Sequence, residues 1–357
     1  MSVLPNRPKL LYFCVNQATF VKKDIAILSE QYDVHICEFY HPEKKYTPLL
    51  FVKQWWFILS NLKNCEAIVC QFAGYHSFFP VFMGGWFGIP SAIIAGGTDC
   101  VSFPSLNYGN FHKKLLGWFT RKSFELCDYI SPVHESLLQR HDTYYGDDSY
   151  NQGILHYCPD VDAKISTIYN GYDVTAWPLI ETTRKHNSFI TVAMDLDNPV
   201  RMMLKGADMV FNVARMMPEC TFTVVGYAGE RKSDWPANVT VIPPQPPENL
   251  AKLFAEHEFY MQLSISEGFP NALSEAMLCG CIPIVSEVAS MSFIVGDTGF
   301  KLIQRNARVL KALLEDAMNS DKQFLTKAAR ARIVQNFPLS KRRNALLAML
   351  SDMTAQK

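Results

Sequence analysis

From Ala67 to Thr98 the chain runs for 32 residues without one Asp, Glu, Lys or Arg. A stretch that long either spans a membrane or lies inside a folded core. Pro80, Gly84, Gly85, Gly88 and Pro90 interrupt every window of about 20 residues, which disfavours a spanning helix. The alternative divides the run into a strand at 66–72, an apolar helix at 76–87 and a strand at 89–95. Parallel strands covered on both faces are apolar almost throughout, so a charge-free strand–helix–strand unit is expected in an α/β sheet. His76, alone in that apolar setting, reads more readily as a satisfied interior group than as a ligand.

The same alternation continues along the chain. Strands are predicted at 10–15, 33–39, 129–131 and 164–169, with helices at 24–31 and 111–126 and an irregular insert at 142–164. Residues 174–187 turn polar and form the linker candidate. A second set follows, with strands at 189–193, 221–225, 239–242, 259–264 and 282–286. Its helices fall at 206–216, 248–256 and 271–279. The 357 residues suit two domains. They are expected at 1–178 and 188–335, both Rossmann-like and doubly wound, facing each other across an interdomain cleft. A last helix at 339–350, within residues 336–357, is expected to cross back onto the first domain.

Charge and cysteine narrow the function. Lys plus Arg and Asp plus Glu both total 34, so no basic excess points to nucleic acid. Ten cysteines are scattered without a Cys-x-x-Cys pair or a Cys/His cluster, which fits buried thiols in a reducing compartment and no metal site. A cytoplasmic protein is expected.

Residues 264–286 carry the most chemistry. A strand ends near Ser264, a loop holds Glu267, Gly268 and Phe269, and Pro270 with Asn271 opens a helix that Gly280 stops. The backbone N–H groups of Asn271, Ala272 and Leu273 are then free at a helix N-terminus, which favours an anion such as a diphosphate. Glu275, about one turn into the helix, suits a bidentate grip on the vicinal hydroxyls of a ribose; it is equally read as an early-helix residue favoured by the dipole.

The spacing Glu267-x7-Glu275, with Gly-Phe-Pro-Asn-Ala between and Gly280-Cys-Ile-Pro283 after, resembles the signature of the retaining GT-B glycosyltransferases of group 1, family four. Other pieces follow in that family's order: residues 168–173 (Ile-Tyr-Asn-Gly-Tyr-Asp), Lys205 with Gly206, residues 222–226 ending in Gly226, and residues 127–135. The resemblance implies that Glu275 holds the ribose of a nucleotide diphosphate sugar. Glu267, with the amides of Gly268 and Phe269, would contact the donor sugar, and Lys205 would balance the diphosphate. It implies a GT-B fold, transfer to an acceptor hydroxyl with retention, no tightly bound cofactor and no required metal. Gly226 and Tyr227 would border the base, or form only a strand-end turn.

Two departures stand out. The family pairs its Lys with an Arg in a Gly-Arg dipeptide after the preceding strand, where this chain has Ala193, Met194 and Asp195. Arg201 either substitutes or is a solvated loop residue. Asp195 and Asp197 spell an Asp-x-Asp but occupy that same stretch. The family's His-Gly-x-Asp reads Gly96, Gly97, Thr98, Asp99, with Gly for His; Asp99 stays a candidate contact to donor sugar or acceptor.

The acceptor class is left open among glycans, lipid-linked molecules and small molecules, with cell-envelope polysaccharide as the expected product. The alternatives are a nucleotide-sugar epimerase or hydrolase of the same fold, or a non-catalytic sugar-nucleotide-binding partner. Trp55 and Trp56 between lysines, and eleven basic against three acidic residues at 301–343, also suit peripheral contact with the inner membrane face. The opposing reading is a buried Trp helix and a solvated basic one.

Overall fold

The structure, a computed structural model, describes residues 7–146 and 150–355. It divides into two compact units. Unit 1 comprises Met1–Arg140, Asn151–Tyr169 and Ser340–Lys357, and unit 2 comprises His141–Tyr150 and Asn170–Leu339.

The first stretch of chain builds β1 (Lys9–Cys14), α1 (Thr19–Leu28), β2 (Asp33–Glu38), α2 (Thr47–Asn61), β3 (Cys65–Gln71), α3 (Tyr75–Phe87), β4 (Ser91–Ala95), α4 (Lys114–Leu126) and β5 (Tyr129–Pro132). A two-stranded sheet of β6 (Arg140–Asp142) and β7 (Tyr150–Gln152), a short α5 (Ile154–Tyr157) and β8 (Lys164–Ile165) follow. The sheet of unit 1 is parallel, in the order β2-β1-β3-β4-β5-β8. The uncharged run is therefore β3, α3 and β4. Ala67 to Cys70 and Ala92 to Ala95 are all but solvent-free, because neighbouring strands and covering helices leave no polar face.

Unit 2 contains β9 (Lys185–Val192), α6 (Pro199–Leu204), α7 (Ala207–Met216), β10 (Thr221–Val225), β11 (Val239–Ile242), α8 (Pro247–Glu256), β12 (His257–Gln262), α9 (Asn271–Leu278), β13 (Ile282–Ser286), α10 (Met291–Val295), β14 (Phe300–Leu302), α11 (Ala307–Met318) and α12 (Lys322–Asn336). Its sheet is also parallel, ordered β11-β10-β9-β12-β13-β14. Phe189 on the central strand stacks on Phe222 at 5.1 Å and on Phe259 at 5.0 Å. Such aromatic pairs add about 0.5–1.5 kcal/mol each beyond the area they bury.

The final helix, α13 (Leu339–Ala355), lies almost wholly in unit 1. Arg342 on it grips Asp24 of α1 with two nitrogens, at 2.7 and 2.6 Å, and donates to the carbonyls of Ile168 and Tyr169. Both partners are buried, so losing either one would strand a charge.

The insert expected at 142–164 holds β7 and α5, with β7 paired to β6 at its start. The strand expected at 164–169 is regular over Lys164 and Ile165, and the N–H groups of Ser166 and Ile168 continue the ladder by donating to Ile130 O and Pro132 O of β5. The tryptophans of α2 are not buried: Trp56 is 70% exposed and Trp55 49%. The basic segment at 301–343 is not a free cationic face either. Arg330 and Arg332 donate to backbone carbonyls, Arg305 pairs with Asp208, and Arg342 and Arg343 pair with Asp24 and Glu30. Among the described residues no helix is long and apolar enough to cross a membrane.

All ten cysteines are free and buried. Burial pushes the thiols of Cys14, Cys279 and Cys281 up to about 12, which holds them protonated and unreactive.

Candidate functional site

Most of the residues singled out in the sequence lie on unit 2. At the end of β12, Tyr260 donates to Gln262, Gln262 to Ser264 and Ser264 to Glu267. Burial, with the nearby charges of Glu267 and Glu275, raises the Tyr260 phenol well above its ordinary value and keeps it a donor. Glu267 Oε1 also accepts from Gln262 Nε2 at 3.3 Å and from Lys205 Nζ at 2.6 Å. Three donors thus fix one carboxylate oxygen on a loop that would otherwise be free to turn.

Lys205 reaches Glu267 because of the residue after it. Gly206 has φ +72, and a Cβ there would lie 2.1 Å from the carbonyl oxygen of Leu263. Only glycine permits the junction of α6 and α7 to press against the loop that follows β12. The Ile265 N–H donates to Leu204 O at 2.9 Å and closes the contact.

Within α9, residues Leu273, Ser274, Ala276, Met277 and Leu278 are buried. Asn271, Ala272 and Glu275 keep solvent access. Positions i and i+4 share a face, so Glu275 stands directly along the helix from its N-terminal amides. No side chain caps this end. The first turn is held in place by Asn170 and Tyr172, which donate to Asn271 Oδ1 at 3.2 and 3.1 Å, and Asn170 also donates to Phe269 O. These bonds bring Asn170 and Tyr172 into unit 2. Phe269 is buried edge-on against Phe337 at 5.3 Å, and Gly268 beside it is buried too.

Gly226, at the end of β10, has φ +129, and a Cβ there would meet Ala193 O at 2.4 Å. Tyr227 donates to Asp197 Oδ1 at 3.1 Å, and Lys232 lies 3.4 Å from the same oxygen. Asp197 is therefore spent on the Tyr227 loop. Asp195 adopts a left-handed backbone with φ +61, which Asp tolerates better than most residues. Among the described residues no cluster of three His, Cys, Asp or Glu side chains could hold a metal ion. Arg201 is exposed on α6, whose start Asn198 caps.

Asp99 lies in unit 1, 1% exposed. One carboxylate oxygen accepts from the N–H of Ala73 at 3.1 Å, and the other from those of Gly96 and Gly97 at 3.1 and 2.9 Å. Burial raises its carboxyl above the ordinary range despite these donors. Asp99 thus ties the loop after β4 to the loop after β3. Gly96 has its own cause: a Cβ there would lie 1.9 Å from the Phe72 ring, which fills the space a larger side chain would need. His76 donates its Nε2–H to Gln71 O at 2.9 Å, and burial lowers the imidazole to about 4.

The orienting pair Gln262 and Ser264, and the brace Asn170 with Tyr172, were not singled out as site residues from sequence. The available signal was a Gln inside an otherwise apolar strand and an Asn-Gly turn far from the helix it supports.

Residues 204–336 match the family described as Glycosyl transferases group 1. No curated protein sequence matches the chain. Among solved structures, sucrose-phosphate synthase from Thermosynechococcus elongatus superposes with a TM-score of 0.69 at 13% identity, over 98% of this chain and 100% of that one. HepE of Anabaena in complex with UDP and glucose gives 0.65 at 13% identity, over 96% and 100%. A glycosyltransferase from Rickettsia africae gives 0.67 at 12%, over 99% and 100%. At such identities the likeness carries the fold, an α/β fold with two six-stranded parallel sheets of the GT-B glycosyltransferase kind.

Proposed function

We propose that this chain is a glycosyltransferase that moves a hexose from a nucleoside diphosphate sugar to an acceptor hydroxyl with retention of configuration. One observation carries the reading. The Lys205–Glu267 ion pair and the open, Glu275-bearing face of α9 fall together within residues 204–336, which match the group 1 glycosyltransferases.

The residues divide the work by chemistry. The amides of Asn271, Ala272 and Leu273 meet the diphosphate at the helix N-terminus, where the dipole adds positive potential. Glu275 accepts from the two ribose hydroxyls, a geometry that a carboxylate satisfies with one oxygen each. Glu267, held by Ser264 and Gln262, accepts from donor-sugar hydroxyls. When the bond from the anomeric carbon to the phosphate oxygen breaks, its electron pair leaves on the phosphate. Lys205 is the cation placed to offset that charge, so the reading asks for no metal. Arg201 is a second cation that can turn toward the phosphates, and Gly226 with Tyr227 borders the base. Asp99 holds the loops of unit 1 that present the acceptor. UDP-sugars are the first choice of donor because the structural neighbour HepE is described in complex with UDP and glucose. A cytoplasmic reaction is the reading that free thiols and a nucleotide-sugar donor support.

The test is turnover of a panel of nucleotide sugars, UDP-sugars first, with proton NMR of the product anomer. Appearance of an α-linked product from an α-linked donor supports the reading. An inverted anomer removes retention, and absence of any nucleotide-sugar binding removes the reading as a whole.

A further inference from the structure

Unit 1 contains a cavity of about 910 Å³, at the upper end of the roughly 300–1,000 Å³ typical of small-molecule sites. Its walls are the side chains of Phe39, Leu50, Phe51, Leu115, Leu116 and Phe119, contributed by α2, α4 and the end of β2. At its floor lie Phe72, Asp99, His76 and Asn110. The polar groups of the floor are already engaged, and Tyr40, His41, Thr47, Tyr75 and Thr98 supply the other polar atoms of a mostly apolar lining. Asp99 accepts three backbone N–H groups, and Asn110 donates to Ala73 O and Thr120 Oγ1. His76 faces Gln71 O, and burial holds it neutral near pH 7. A sugar or phosphate entering this space would lose water and find few free partners, whereas an apolar chain loses nothing.

The surface around the cavity has the same character. Phe51 stacks with Phe119 at 5.9 Å, and Phe119 meets Phe78 and Trp118 edge-on at 5.2 and 5.0 Å. Phe78 stacks with Phe82, which meets Trp86. This ladder runs from the cavity wall to the surface, where Trp86 is 75% exposed, Leu115 63% and Trp118 48%. Natural monomers rarely leave such a contiguous apolar patch in water. Its exposed charges are mostly positive: Lys53, Lys113, Lys114 and Arg121 are exposed, α2 and α3 hold no Asp or Glu, and the one acidic residue of α4, Glu125, is paired with Lys122. Aromatic side chains beside unpaired cations match the headgroup region of an anionic bilayer.

We propose that the cavity holds the hydrocarbon tail of a lipid-linked acceptor, drawn from an anionic lipid surface on which the α3–α4 face docks. The role of that molecule as acceptor rests on the glycosyltransferase reading, while the binding itself does not.

Two measurements on the full chain test it. Dansyl-labelled undecanoate should bind with a blue-shifted emission, and Leu115→Glu should weaken binding about tenfold by placing a charge on the wall. Leu115 is exposed, so the thermal midpoint should hold and exclude misfolding. In sedimentation, the chain should follow vesicles of phosphatidylcholine with phosphatidylglycerol at low salt, but not phosphatidylcholine alone, and Trp118→Glu or the Lys113→Glu, Lys114→Glu pair should leave it in the supernatant. Equal probe affinity in Leu115→Glu, no probe binding, or no preference for anionic vesicles would overturn the proposal. So would a dimer that Trp118→Glu dissociates, which would make the face an interface between copies. UDP titration of the same samples separates the two readings. Probe and vesicle binding without nucleotide binding leaves the tail site standing and removes the transferase, and the reverse pattern removes only the tail site.

Discussion

The ammonium of Lys205 sits 2.6 Å from the carboxylate of Glu267, although 62 residues separate them in the chain. The pair is partly open to solvent, with the lysine side chain 36% exposed and the glutamate 14%. Its worth is therefore in placing charge, since a solvent-exposed pair adds little stability. Glu267 would keep its orientation through Ser264 and Gln262 when Lys205 turns toward a phosphate. Lys205→Met should leave folding unchanged and lower the transfer rate by roughly 10²–10³-fold, the usual cost of losing one charge-stabilising group. Steady-state rates with saturating donor, alongside the thermal midpoint, check this.

The contact that brings the pair together is steric. Gly206→Ala forces a left-handed Ala and a Cβ 2.1 Å from Leu263 O. The variant should lose about 2–4 kcal/mol in urea unfolding, more than an ordinary Gly→Ala change, because both backbone strain and overlap act. A neutral result would mean that the loop after β12 yields freely.

Gly96 and Phe72 should be coupled. Gly96→Ala collides with the Phe72 ring, and Phe72→Ala opens a cavity, but the double variant relieves the collision. The double-variant loss should fall short of the sum of the single losses by about 1–3 kcal/mol in a denaturant cycle. Additive losses would show that the ring does not occupy that space.

His76 gives the unit an acid sensitivity. In the unfolded chain it takes a proton near pH 6.5, whereas in the folded one burial delays this to about 4. The unfolded state then binds more protons between these values, so stability falls as pH drops through that window and levels off below it. The loss should be on the order of 3 kcal/mol. Urea midpoints across the window should slope more steeply for the parent than for His76→Gln, the remaining slope coming from groups such as His134 and His257, which burial also lowers; equal slopes would place the acid sensitivity elsewhere.

Much of the architecture was legible because buried parallel strands and covering helices leave plain apolar signatures, as β3, α3 and β4 do. The Glu267 to Glu275 segment was legible for a local reason: a loop, a helix start and two carboxylates sit within a few residues. What escaped depends on distance along the chain. The Asn-Gly turn at Asn170 marks a bend but does not name Asn271 as the residue it braces, and nothing near Gly96 announces Phe72. Basic residues at 301–343 looked like a surface because sequence does not reveal acceptors such as the carbonyls of Leu278 and Ile294, or Asp24 in α1. The tryptophans of α2 stayed between two readings because sequence does not say which face of an apolar helix is covered.

Glu275 gives the most direct test of the donor site. Titration calorimetry of UDP and its sugars into the parent chain and into Glu275→Ala should show binding by the parent and a loss of about a hundredfold or more in the variant, the value of a charge-assisted bidentate contact. Because Glu275 is solvent-accessible on α9, the variant should fold normally. Equal nucleotide affinity in both proteins would contradict the assignment of α9 as the donor site.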